Sequence, residues 1–376
     1  MKQLDIQTNE ACDAAARPCD VLLYPTDEKY SEEIRNFQGC PTLAVTRGGR
    51  IFVGWYSGGD REPHIDNYNL LVYSDDDGKT FHKYPILVIP SDRKRLVQAL
   101  DIQLWISPEG RLYVYWVQND VTLPEGVSRD GYQPEQCRFE DKRHTEWVII
   151  CDDPDADRLS FSQPRLCDIG FLRCKPLVTQ SGRWINFNYD QLTDSYGYSI
   201  SDDRGETWTR MYGAKKLKVW FDEGMAYQKE DGSIRMLARC SLGEMAETTS
   251  CDDGMTWEEA KPSGIVAPDS RHWIARTPSG RILLINSDHP TSRTRMTAQL
   301  SEDDGVTWKY KACFDERCGI SYPDADFHNG KIYLAYDHGR NDHREIYFLC
   351  FTEEDIINNT MPSPVLISKP LTCKDT

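Results

Sequence analysis

Two carboxylates, two guanidiniums and a phenol in this chain, Glu223, Asp66, Arg239, Arg293 and Tyr322, occupy comparable places in a repeating pattern. Carboxyl and phenol groups can pass protons to and from a reacting atom. Arginine forks hold a carboxylate through two parallel hydrogen bonds. Together they would suit chemistry on an acidic molecule. Rivals stand close by: Asp60 and Glu62 precede Asp66, and Arg295 lies two residues beyond Arg293 on the same strand face. Whether the five meet depends on the elements that carry them.

Those elements repeat. The pattern SxDxGxTW occurs at Ser201–Trp208, Ser250–Trp257 and Ser301–Trp308, and SDDDGKTF at Ser74–Phe81 is a fourth copy ending in Phe. Ser and Asp bond neighbouring backbone N–H groups and Gly supplies a positive φ, so each copy reads as a hairpin turn. A second repeat, Gly followed by alternating apolar residues, stands at Gly49, Gly110, Gly182, Gly232, Gly280 and Gly330. Successive spacings of 61, 72, 50, 48 and 50 residues match the period of propeller blades once loops are added. The expected fold is all-β, a six-bladed β-propeller of four-stranded antiparallel blades in one domain over residues 1–376. The SxDxGxTW turn is degenerate or absent in blade two (CDDPDADRLSF, from Cys151) and absent in blade six. Residues 1 to about 36 hold one apolar run, DVLLYP, expected to close the ring against the last blade.

In such a blade the Gly turn joins strands one and two, and the SxDxGxTW turn joins strands three and four, so both lie on one face. Glu223 precedes the first strand of blade four and Arg239 ends its second. Tyr322 precedes the first strand of blade six, Asp66 the third of blade one, and Arg293 the third of blade five. All five therefore converge on the other rim. The polar loop from about Asn119 to Glu146 is long enough to expect a function for it.

A net charge of −16 argues against nucleic acid or an anionic membrane as partner. An anionic substrate must be drawn in by a local arginine cluster. No apolar run reaches the roughly 18 residues of a membrane span. The polar N-terminus lacks the apolar stretch of a secretory signal, and the expected location is cytoplasmic. Thirteen Cys without CxxC pairs read as reduced, partly buried residues. DHGRNDHRE, from Asp337, has metal-like composition but no recognised ligand spacing, so no metal or cofactor is expected; its Arg340 and Arg344 could border a substrate groove.

With FDEGMAYQKEDGSIRMLAR, an Arg eight residues before Ser301, and a Tyr opening the last blade in ISYPDADF, the chain resembles the sialidase superfamily of Asp-box propellers over nearly its whole length. GWYSGGDREPHIDNYNLLVYSDDDG is more similar to the divergent bacterial BNR-repeat branch. The resemblance implies a metal-independent, retaining exo-glycosidase that releases a terminal acidic sugar, with an acidic glycan as partner. It implies Tyr322 as nucleophile, Glu223 as its proton acceptor, Asp66 as acid/base, and Arg239 and Arg293 as carboxylate ligands. One departure stands out. The family opens blade one with an Arg in FRIP, whereas FQGCPTL here places Gly39 at that position. Arg61, Arg93 or Arg276 could supply the lost guanidinium, and spacing does not choose among them. The departure leaves room for a glycosidase or lyase acting on a uronate- or rhamnose-containing glycan, or for a glycan-binding propeller without catalysis.

Overall fold

A computed structural model describes residues 13–370. Six antiparallel sheets carry the described fold, each built from strands consecutive in sequence. Blade one contains Gln38–Val45, Ile51–Ser57, Tyr68–Ser74 and Leu87–Pro90; blade six contains Ile320–His328, Lys331–His338, Glu345–Phe351 and Val365–Ser368. All six turn glycines have positive φ, from 76° at Gly330 to 96° at Gly280, where a side chain would be strained. The four SxDxGxT turns share one hydrogen-bond set. In the Ser301 copy, Ser301 Oγ accepts from Gly305 N at 2.8 Å and Asp303 accepts from Thr307 N at 2.8 Å. Two successive left-handed residues, such as Asp304 (φ 57°) and Gly305 (φ 80°), reverse the chain. Blade two uses its acidic turn differently: Asp155 accepts from Thr46 Oγ and from Gly48 N, tying that turn to blade one.

The apolar alternation becomes sheet-on-sheet packing. Trp55, Trp116, Trp184 and Trp273 are fully buried, one in each of blades one, two, three and five. Leu22–Leu23 pairs with Leu87–Pro90, so the described part of the N-terminal segment extends blade one rather than completing blade six. The remainder of that expected closing segment lies outside the described residues. Blade six takes its fourth strand from Val365–Ser368, after a short helix at Glu353–Asn358. No described helix is long and apolar enough to cross a membrane. None of the described cysteines is paired.

The seam between blades six and one is made by carboxylates. Asp337, Asp324 and Asp326 of blade six accept the N–H groups of Cys40 (2.8 Å), Leu43 (2.8 Å) and Val45 (3.0 Å) along the innermost strand of blade one. Asp324 is fully buried and also takes Thr42 Oγ at 2.8 Å, Lys175 Nζ at 2.8 Å and an Arg271 guanidinium N–H at 3.1 Å. Burial alone would raise its pKa, but Lys175 and Arg271 outweigh that and hold it below the usual carboxylate value. Removing one partner of a buried, hydrogen-bonded ion pair leaves an uncompensated charge. Asp324→Ala should therefore cost about 3–5 kcal/mol, read as a lower denaturant midpoint in equilibrium unfolding.

Candidate active site

Bulges in the inner strands shape the mouth of the ring. Register shifts fall between Gly39 and Thr42, Leu100 and Gln103, and Ser321 and Asp324. Within them Cys40, Asp101 and Tyr322 adopt left-handed backbones, with φ 55°, 53° and 54°. Tyr322 thus lies inside its strand rather than ahead of it. Glu223, two residues before Met225–Gln228, has φ 36°. Left-handed non-glycine residues cost free energy and persist only where surrounding structure holds them. Here all four line one cavity of about 350 Å³, which Glu62, Arg239, Arg293 and Arg340 also reach.

Tyr322 Oη donates to Glu223 Oε1 at 2.9 Å, and Arg239 Nη1 donates to Glu223 Oε2 at 3.0 Å. Arg239 also bonds Asp269 through Nε. Burial works against ionisation of Glu223, yet Arg239 and Arg173 together keep its pKa below the ordinary value. Burial and the Glu223 charge push the Tyr322 phenol well up, against the pull of Arg340 and Arg239. The pair is therefore a neutral phenol donating to a carboxylate. Three further guanidiniums surround the Tyr322 ring: Arg340 at 4.8 Å, Arg173 at 5.1 Å and Arg293 at 5.7 Å from its centre. Asp101 pairs with Arg173 at 3.3 Å. Burial raises its pKa to about 6, with Arg173 opposing. Aromatic rings line the same cavity. Phe171 and Tyr189 stack at 5.1 Å, Phe221 meets both edge-on, and His144 lies 3.7 Å from Phe171. Burial lowers the His144 pKa to about 3, so it is neutral near pH 7.

Tyr322, Glu223, Arg239 and Arg293 are therefore brought together. The other three candidates are not. Asp66 points into a neighbouring groove, where it pairs with Arg93 at 2.8 Å and is 40% exposed. Arg61 is an exposed partner of Asp60. Arg276 lies on the opposite face of the ring, bonded to Asp304 of a serine–aspartate turn and to Gly280 O. Arg276 fails because its strand runs toward the Gly turn, and a strand's end decides its face. Glu62, a rival of Asp66, lines the cavity instead and accepts from Tyr56 Oη and Arg340 Nη1.

Asp101 and Arg173 escaped the sequence reading, although the repeat contains their signal. Nine residues before each turn glycine stand Cys40, Asp101, Arg173, Glu223 and Arg271, and Tyr322 stands eight before Gly330. Cys40, Asp101, Glu223 and Tyr322 line the mouth, and Arg173 lies buried against Asp101. Arg271 lies deeper, on Asp324. Among the described residues, His338, His343 and Glu345 place ligand atoms within 4.8 Å of one another. Glu345 already pairs with His338 and with Lys369 and Arg317, two cations that oppose a metal ion there.

Comparison with known proteins agrees with this architecture. Residues 151–334 match the family model of the BNR repeat-like domain. An anhydrosialidase of Macrobdella decora is 25% identical over 177 residues, 42% of this chain and 23% of the leech protein, so the matched region is under a quarter of that relative's length. NanB sialidase of Streptococcus pneumoniae superposes with a TM-score of 0.65 at 17% identity, covering 90% of this chain and 71% of that one. The intramolecular trans-sialidase of Ruminococcus gnavus, solved with oseltamivir carboxylate, gives 0.65 at 14% identity, covering 90% and 98%. At these identities the superpositions establish the fold alone, and residues 151–334 are similar to the BNR repeat-like domain.

Proposed function

We propose that this protein is a sialidase-type glycoside hydrolase that releases a terminal acidic sugar, sialic acid or a related ulosonic acid, with retention of anomeric configuration. The observation that carries this reading is the Tyr322–Glu223–Arg239 chain of hydrogen bonds, at 2.9 and 3.0 Å, beneath a ring of guanidiniums. A cavity of about 350 Å³ lies at the small end of ligand-pocket sizes and suits one sugar residue. Arg293 and its neighbours would hold the sugar carboxylate. Tyr322 Oη would attack the anomeric carbon as its proton passes to Glu223, and the bond to the leaving oxygen would break. A neutral nucleophile fits this setting, because an anionic one would be repelled by the substrate carboxylate. Water would then attack the glycosyl-tyrosine from the same side as the departed group, giving net retention, while the phenol recovers its proton.

The leaving oxygen needs a proton. Asp66 lies outside the cavity, so the donor in this reading is Asp101, whose pKa near 6 keeps part of the population protonated at neutral pH. Glu223, held below the ordinary carboxylate value, stays ionised into the acid range. The pH profile of kcat/KM should therefore fall on the alkaline side as Asp101 loses its proton above about 6, and on the acid side only below the ordinary glutamate range, where Glu223 takes up its proton. Asp101→Asn should remove the alkaline limb and slow poor leaving groups more than activated aryl ones.

A glycosidase acting on another acidic sugar is the second reading, favoured by Gly39 where related chains place an arginine. The deciding assay is hydrolysis of a fluorogenic sialic acid ketoside. Turnover should be lost in Tyr322→Phe and reduced about 10²- to 10⁴-fold in Glu223→Gln, with both variants folded by circular dichroism. A folded wild-type protein without turnover would reject the sialidase reading. Retained turnover in Tyr322→Phe would reject the nucleophile.

A further inference from the structure

We propose that Arg340 is the anion-selecting guanidinium of this pocket, and that position 39 is glycine to admit it. The inference rests on the reading of the cavity as an acidic-sugar site and names the group that recognises the acid.

A glycine is usually explained by its backbone, but Gly39 is not among the residues of positive φ. Space explains it instead. A Cβ built on Gly39 would overlap Cγ and Cδ of Arg340 and lie 3.0 Å from Asp337 Oδ2. The stem of Arg340, which leaves blade six just after Gly339, therefore fills the volume a side chain at position 39 would take. Its head is fixed beyond that gap: Nη1 donates to Glu62 at 2.6 Å and to Cys40 Sγ at 3.0 Å, and Nε lies 3.7 Å from Asp337. Glu62 is held in turn by Tyr56 Oη.

The four guanidiniums of the site differ in what they have left to give. Arg239 is committed to Glu223 and Asp269, and Arg173 is 3% exposed and paired with Asp101. Arg340 and Arg293 flank the Tyr322 ring, at 4.8 and 5.7 Å from its centre. Neither Nη2 of Arg340 nor Nη1 of Arg293 has a hydrogen-bond acceptor among the described residues. A ligand resting on Tyr322 therefore meets two forks with unused donors, and an anionic group satisfies them without displacing Glu62. Arg61, Arg93 and Arg276 cannot serve. The first two lie outside the cavity, paired with Asp60 and Asp66, and the third is on the opposite face.

The test is calorimetric binding to the full chain. Ligands are the 2,3-unsaturated analogue of N-acetylneuraminic acid, glucuronic acid and galacturonic acid, each beside its own methyl ester. The wild type should prefer an acid over its ester. Arg340→Met should lower that preference at least about 30-fold, with ester affinity little changed. Gly39→Ala retains every charge yet displaces the Arg340 stem, and should lower the preference as well, so the outcome stands even if Arg340→Met fails to fold. Gly39→Arg combined with Arg340→Gly should restore part of it by sending a guanidinium in from blade one. An acid preference confined to the uronic acids and lost in the variants would sink the sialic acid reading while upholding Arg340. A wild type indifferent to acid or ester, or a folded Gly39→Ala with the wild-type preference, would overturn the proposal.

Discussion

The buried carboxylates of blade six are the constraint on which the ring depends. A propeller whose blades each use consecutive strands has no shared strand to lock its first blade to its last, and the innermost strand of blade one presents unpaired N–H groups to the seam. Asp337, Asp324 and Asp326 accept three of them. Asp324 gathers Gln103 of blade two, Lys175 of blade three and Arg271 of blade five onto the same carboxyl, so one side chain ties five blades at the axis. Buried charge is tolerable here because each oxygen is met by cations and donors.

The same aspartates hold the floor of the candidate site. Tyr322 stands two residues before Asp324, in the bulge that lets one strand turn its phenol into the cavity and then its carboxylate into the axis. The left-handed backbones at Cys40, Asp101, Glu223 and Tyr322 are local costs that the ring absorbs, and they aim four side chains from four blades at one point. Electrostatics follow from this crowding. A cluster of four arginines in a protein of net charge −16 survives because Glu62, Asp101, Glu223 and Asp269 interleave with it. The uneven pairing leaves Arg293 and Arg340 with donors to spare.

Periodicity made the fold legible. Turn glycines and Ser-x-Asp-x-Gly turns are local chemistry, so their count and spacing report six blades without any knowledge of packing. Face assignment followed from strand direction and placed Tyr322, Glu223, Arg239 and Arg293 on one rim. It failed where loops intervene. Asp66 and Glu62 share a loop of uncertain path, and only its packing against Tyr56 and Arg340 turns Glu62 inward while Asp66 meets Arg93. Arg276 ends a strand, Trp273–Arg276, that runs toward the Gly280 turn, so strand direction puts it on the opposite face.

The sequence by itself determined the number of blades, the turns that define them and four of the groups at the rim, because each depends on interactions within a single hairpin. Only the tertiary structure decided that the ring closes through carboxylates rather than through the N-terminal strand, and that Asp101, paired with Arg173, joins the cavity. It alone showed that Arg340 passes through the gap at Gly39. These depend on contacts between residues as far apart as Gly39 and Arg340, whose distance in space is set by the closure of the whole ring.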